Sequence, residues 1–87
     1  MSKCCVIGLG YIGLPTAALL ASSGHDVVGV DINENVIQIV NSGSIHIIEP
    51  NLKKVVSNAV KNKKLFAVNS PLPAEVFIVA VPTPFKD

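Results

Sequence analysis

The sequence predicts an α/β fold built on a parallel sheet, and three observations carry that expectation. Short apolar runs that close on glycine, aspartate or asparagine read as strands buried on both faces. Segments with apolar residues at helical spacing stand between them, so strand and helix alternate along the chain. Of the 87 residues 49% are apolar and 15% charged, which suits a packed chain and not a disordered one. That length holds one small domain at most, or part of a larger one.

The first strand is expected over Cys4 to Ile7. A helix over Tyr11 to Ser23 follows, apolar almost all round (Leu14, Ala17, Ala18, Leu20, Ala21), as fits packing on a sheet, with Gly24 as its stop. Pro15 is tolerated in its first turn, where amides have no carbonyl partner. Val27 to Val30 is the second strand and closes on Asp31. Asn33 is placed to cap a helix over Glu34 to Asn41, with Val36, Ile37 and Val40 on one face and Gly43 after its end. A third helix is expected to start near Pro50. It carries Leu52, Val55, Val56, Ala59 and Val60 on one stripe and gathers lysines at its C-terminal end, where they suit the helix dipole.

Leu65 to Val68 and Val76 to Val81 complete the strands. The connector Asn69 to Glu75 has seven residues and reaches about 23 Å when extended. Crossing from an outer third strand to the far side of the first spans roughly 14 Å at ordinary strand spacing. The strand order 3-2-1-4 is therefore feasible, the half-sheet of a Rossmann-type fold.

Composition excludes several functions. Seven lysines, no arginine, six acidic residues and four aromatics provide neither the basic footprint nor the stacking platforms of a nucleic-acid binder. The apolar run after Lys3 meets glycine far too soon to span a membrane and lacks a signal-peptide pattern. Cys4 and Cys5 are neighbours on one strand and make a poor disulfide framework, so a reducing, cytoplasmic setting is expected. They lie in a strand expected to be buried, so they read as inert core thiols. His25 and His46 have no second ligand at metal spacing, and no metal is expected.

The chemistry concentrates in VIGLGYIGLP. Its Gly8, Gly10 and Gly13 follow a buried strand and open an apolar helix, and Asp31 stands eighteen positions after Gly13 at the tip of the second strand. That context is the dinucleotide-binding fingerprint. Gly8 allows the tight turn, Gly10 a close approach of backbone to pyrophosphate, and Gly13 close packing of helix on strand, while the amides of Tyr11 and Ile12 point at the anion. A carboxylate at Asp31 suits the ribose diol and repels a 2′-phosphate. With no arginine to offset it, NAD is expected in preference to NADP. Asp31 can also simply cap the next helix. VPTP at 81–84 leaves the fourth strand beside the glycine loop, where the Thr83 hydroxyl could meet the cofactor or merely end the strand.

VIGLGYIGLPTA, GVDIN, IHIIEPNL and AVPTPFKD together resemble the N-terminal part of the UDP-glucose/GDP-mannose dehydrogenase family, over essentially the whole chain. The resemblance implies NAD-dependent oxidation of a sugar-nucleotide C6 alcohol to a carboxylate, through a thiohemiacetal on a cysteine. It implies that Tyr11, Ile12, Asp31 and Thr83 contact NAD. Val36 stands where some members carry a basic residue. Members are several times longer, so the resemblance implies that the nucleophile and the sugar-nucleotide site lie beyond residue 87 and that these residues alone are inactive. A nucleotide-sensing module with a similar strand, glycine loop and acid is the alternative, against which EPNL and VPTP speak. Finally, the fourth strand is apolar with an uncovered edge, which predicts self-association through that edge.

Overall fold

The computed structural model describes residues 2–80. Its elements run β1 (Lys3–Ile7), α1 (Gly13–Ser22), β2 (Asp26–Val30), α2 (Glu34–Asn41), α3 (Leu52–Lys61), β3 (Leu65–Val68) and β4 (Val76–Val79). All strand pairs are parallel and the sheet order is β3-β2-β1-β4, as expected. Cys4 pairs with Val27 on one side and Val76 on the other, and Val27 pairs with Leu65.

Alternation along the strands divides the sheet into two unlike faces. Cys4, Val6, Val27, Leu65 and Ala67 are buried on the face that receives Leu14, Ala17 and Ala18 of α1, Val40 of α2, and Val56 and Ala59 of α3. α1 packs on β1, β2, β3 and α3, so the three helices share this one layer. Burying a Leu or Val side chain there is worth about 1.5–3 kcal/mol each, and most of the apolar burial lies on this side. On the other face Cys5, Val28 and Val30 form a small separate cluster against Ile7, Val68 and Ala74 of the connector. Phe66, Phe77 and Val79 stand exposed on it.

The sheet edges differ too. On β3 the side-chain amide of Asn41 does the work of a neighbouring strand: its Nδ2 donates to Ala67 O at 2.9 Å and its Oδ1 accepts from Ala67 N at 2.8 Å. Among the described residues, β4 pairs with β1 alone.

Several boundaries shift. α1 proper begins at Gly13, two residues after the expected Tyr11, although helical bonding already starts with Leu14 N donating to Gly10 O. It ends at Ser22, and Gly24 (φ +99) turns the chain away. α2 has the expected cap, with Asn33 Oδ1 accepting from Asn35 N at 2.9 Å and Val36 N at 3.4 Å. α3 starts at Leu52, because Asn51 has φ +66, a left-handed conformation no right-handed helix can include. β4 ends at Val79. Ala80 N still donates to Ile7 O at 2.7 Å, and the expected Val81 lies outside the described residues.

Candidate functional site

β1 delivers the glycine loop at the C-terminal end of the sheet. The first residue of the loop continues the sheet, with Gly8 N donating to Val30 O at 2.7 Å, and then turns out of it at φ +98, a conformation glycine adopts without strain. Leu9 points inward and is fully buried. It lies on Gly29 of β2, where an added Cβ would come within 2.9 Å of both Leu9 methyls. The residue between the first two glycines of the motif is thus a core anchor.

The remaining glycines do different work. A Cβ on Gly13 would fall 1.6 Å from Gly8 O, so α1 and the loop approach each other at backbone distance. A Cβ on Gly10 would meet nothing within 4 Å. Gly10 therefore faces open space, with Tyr11 and Ile12 beside it at 65% and 73% exposure. Among the described residues, the amides of Tyr11 and Ile12 find no backbone acceptor. Unpaired N–H groups at the start of a helix carry partial positive charge and suit an anion.

Asp31 closes the arrangement from β2. Its Oδ2 accepts from Leu9 N at 3.0 Å and its Oδ1 from Asn33 N at 2.9 Å. One carboxylate therefore ties the glycine loop to the turn that opens α2. Each oxygen keeps a further lone pair, and the residue is only partly buried. A small cavity of about 120 Å³ lies here, lined by Ile7, Gly8, Val30, Asp31 and Ile32. Ile32 projects from its rim almost wholly exposed, at 96%.

The structure thus brings Gly8, Gly10, Tyr11, Ile12, Gly13 and Asp31 together at the ends of β1 and β2. Thr83 lies outside the described residues. Sequence reasoning missed Leu9, Gly29 and Ile32. Leu9 and Gly29 are linked by strand register, and only the neighbouring acid marks Ile32. These residues fit a dinucleotide: the space beyond Gly10 is the cradle a side chain would fill, and the unpaired amides and the carboxylate are the donor and acceptor that a pyrophosphate and a ribose require. Cys4 and Cys5 are buried thiols, away from that surface. Among the described residues no group of three His, Cys, Asp or Glu side chains could hold a metal ion.

Known proteins resemble this chain over nearly its whole length. The model of the UDP-glucose/GDP-mannose dehydrogenase family, NAD binding domain, matches residues 2–87. A UDP-N-acetyl-D-mannosamine dehydrogenase of Campylobacter jejuni is 56% identical over 85 residues, which are 98% of this chain and 21% of that protein. An NDP-N-acetyl-D-galactosaminuronic acid dehydrogenase of Ralstonia nicotianae is 54% identical over 82 residues, 94% of this chain and 19% of that one. Among solved structures, the UDP-N-acetyl-mannosamine dehydrogenase Cap5O from Staphylococcus aureus superposes with a TM-score of 0.95 at 48% identity, over 99% of this chain and 21% of its own. The chain spans about a fifth of the length of the curated relatives it matches.

Proposed function

Because this chain belongs to the UDP-glucose/GDP-mannose dehydrogenase family and matches its NAD binding domain, we propose that Gly8, Gly10, Tyr11, Ile12, Gly13 and Asp31 hold the NAD, with Thr83 as a further contact. The observation that carries this assignment is the open space beyond Gly10, flanked by unpaired amides on one side and an anchored carboxylate on the other. The amides of Tyr11 and Ile12 receive the pyrophosphate, and Asp31 accepts from the ribose hydroxyls. Bound NAD supplies a hydride acceptor.

The parent activity we assign is oxidation of the C6 alcohol of UDP-N-acetyl-D-mannosamine to a carboxylate, a step of surface-polysaccharide synthesis carried out in the cytoplasm. The names of the Campylobacter and Staphylococcus proteins support that sugar. A second reading, another nucleotide sugar, is favoured by the Ralstonia relative, whose name carries a different hexosamine at nearly equal identity. The buried Cys4 and Cys5 thiols cannot reach a substrate, so the 87 residues alone should produce no NADH from any sugar nucleotide.

Calorimetric titration of the chain with NAD and NADP tests the cofactor reading. NAD should bind the more tightly of the two, and Gly10→Val should abolish binding while leaving the circular dichroism spectrum intact. Equal affinity for both cofactors, or retained affinity in a folded Gly10→Val chain, would overturn it.

A further inference from the structure

Asp31 is held by hydrogen bonds to three parts of the fold. Its carboxylate accepts from Leu9 N of the glycine loop and from Asn33 N ahead of α2, and its own amide donates to Val68 O at 3.1 Å. Val68 is the last residue of β3, a strand of only four residues, and strand ends are where local opening begins. One residue earlier, alternation turns the peptide groups of Ala67 away from β2, and both are taken by Asn41: Oδ1 accepts from Ala67 N at 2.8 Å and Nδ2 donates to Ala67 O at 2.9 Å. Asn41 is in turn the last residue of α2, whose first turn hangs from Asp31 through Asn33. The bonds close a circuit. It runs from the Asp31 carboxylate to Asn33, along the eight residues of α2 to Asn41, across to Ala67, and from the adjoining Val68 back to Asp31 N.

We propose that Asn41 is a positioning residue for cofactor choice: by clamping the end of β3 to α2 it fixes where the Asp31 carboxylate stands, and so how sharply a free ribose hydroxyl is told from a 2′-phosphate. The proposal rests on the reading that Asp31 meets the ribose. A primary amide is the side-chain group that matches both peptide groups of one residue, since it carries a donor and an acceptor in one plane, whereas a carboxylate has no donor for Ala67 O. With Asn41 in place, the amide and the carboxylate of Asp31 are anchored to one rigid unit of helix and strand. Without it, Ala67 and Val68 open away from β2, Asp31 N loses its acceptor, and the carboxylate moves off the position set between Leu9 and Asn33. NAD then loses a hydrogen-bond acceptor while NADP is relieved of a fixed repulsive charge, so the two affinities converge. A helix that is merely weakened lowers both in proportion, which separates positioning from simple structural support.

Two measurements on the protein and its Asn41→Ala variant test this. Asn41 is exposed and alanine suits a helix, so the variant should keep its circular dichroism spectrum. Without cofactor, amide hydrogen exchange at Leu9, Asp31 and Asn33 should accelerate by about tenfold or more, while the amides of Val6 and Val28 in the middle of the sheet keep their protection. In calorimetric titrations the ratio of NAD to NADP affinity should fall by about threefold or more. Asn41→Asp keeps an acceptor for Ala67 N and loses the donor to Ala67 O, so its exchange rates should lie in between. Ser42→Ala removes the hydroxyl bond to Ile39 O at the same helix end without touching β3, and should move neither readout. Unchanged exchange at Leu9 and Asp31 in a folded Asn41→Ala or Asn41→Asp protein overturns the proposal, as does equal acceleration by Ser42→Ala. An NAD to NADP ratio that falls in Asp31→Ala but holds in Asn41→Ala refutes the proposal alone, whereas a ratio unmoved by Asp31→Ala refutes the cofactor reading and the proposal with it.

Discussion

The two sides of the glycine loop are built from the same few residues and answer to different demands. The inner side is filled: Gly13 lies against Gly8 at backbone distance, Leu9 is sealed on Gly29, and the Leu9 amide is held by Asp31. The outer side is empty around Gly10, and Tyr11 and Ile12 are exposed there. A motif of three glycines therefore mixes two that the fold requires with one, Gly10, where the fold itself leaves room for a side chain. Substitutions should separate the two groups by what they damage.

Gly13→Ala should cause the largest loss. Its methyl would overlap Gly8 O at 1.6 Å, a backbone atom that cannot swing aside. The expected cost is above ~4 kcal/mol, enough to abolish the folded circular dichroism signal in a small domain. A folded Gly13→Ala chain would mean that the loop and helix can separate. Leu9→Ala comes next, at about 2–5 kcal/mol for a buried leucine whose cavity cannot fully close. Urea denaturation would measure it, and a loss below 1 kcal/mol would remove Leu9 from the core.

Asp31→Ala should cost about 1–3 kcal/mol, because it leaves the Leu9 amide without its acceptor. It also removes the charge that disfavours a 2′-phosphate, so NAD affinity should fall more than NADP affinity. Asp31→Asn sharpens the comparison: its single amide oxygen can accept from Leu9 N only by turning the NH2 toward Asn33 N, so one of the two bonds survives and stability should fall less than in Asp31→Ala while the preference for NAD declines. If Asp31→Asn and Asp31→Ala lose equal stability, the tether to Leu9 is not what holds the loop. Gly10→Val should have the smallest effect on stability, within about 1 kcal/mol, since its Cβ enters open space. Its effect should instead appear entirely as lost NAD affinity.

What the sequence made legible follows from the range of each interaction. The strands, their order, the glycine loop, the Asn33 cap and the position of Asp31 follow from local pattern and from a connector long enough to cross the sheet. The start of α3 did not, because Pro50 and Asn51 look like a helix entry, whereas Asn51 takes a left-handed turn first. Leu9 resting on Gly29 joins residues twenty positions apart and depends on strand register. The Asn41 clip on Ala67 joins a helix end to an edge strand, and a mid-sized polar residue there looks like an ordinary helix terminus. That the three helices among the described residues all lie on one face depends on the side to which each crossover runs, which periodicity does not record.

The position of β1 also has a kinetic consequence. Cys4 meets Val27 on one side, 23 positions along the chain, and Val76 on the other, 72 positions along, and Lys3 N reaches the Glu75 carboxylate at 2.9 Å over the same 72-residue span. Closing the longer loop costs about 1 kcal/mol more in chain entropy, and contacts so distant in sequence form late. The strand that delivers the cofactor loop is therefore zipped on its β2 flank early and on its β4 flank last. As the chain leaves the ribosome, the β1–α1–β2 unit with its glycine turn can be assembled while the other flank of β1 still waits for residues 76–79. Pulsed hydrogen exchange during refolding should show the amides that bond β1 to β2 protected before those that bond β1 to β4.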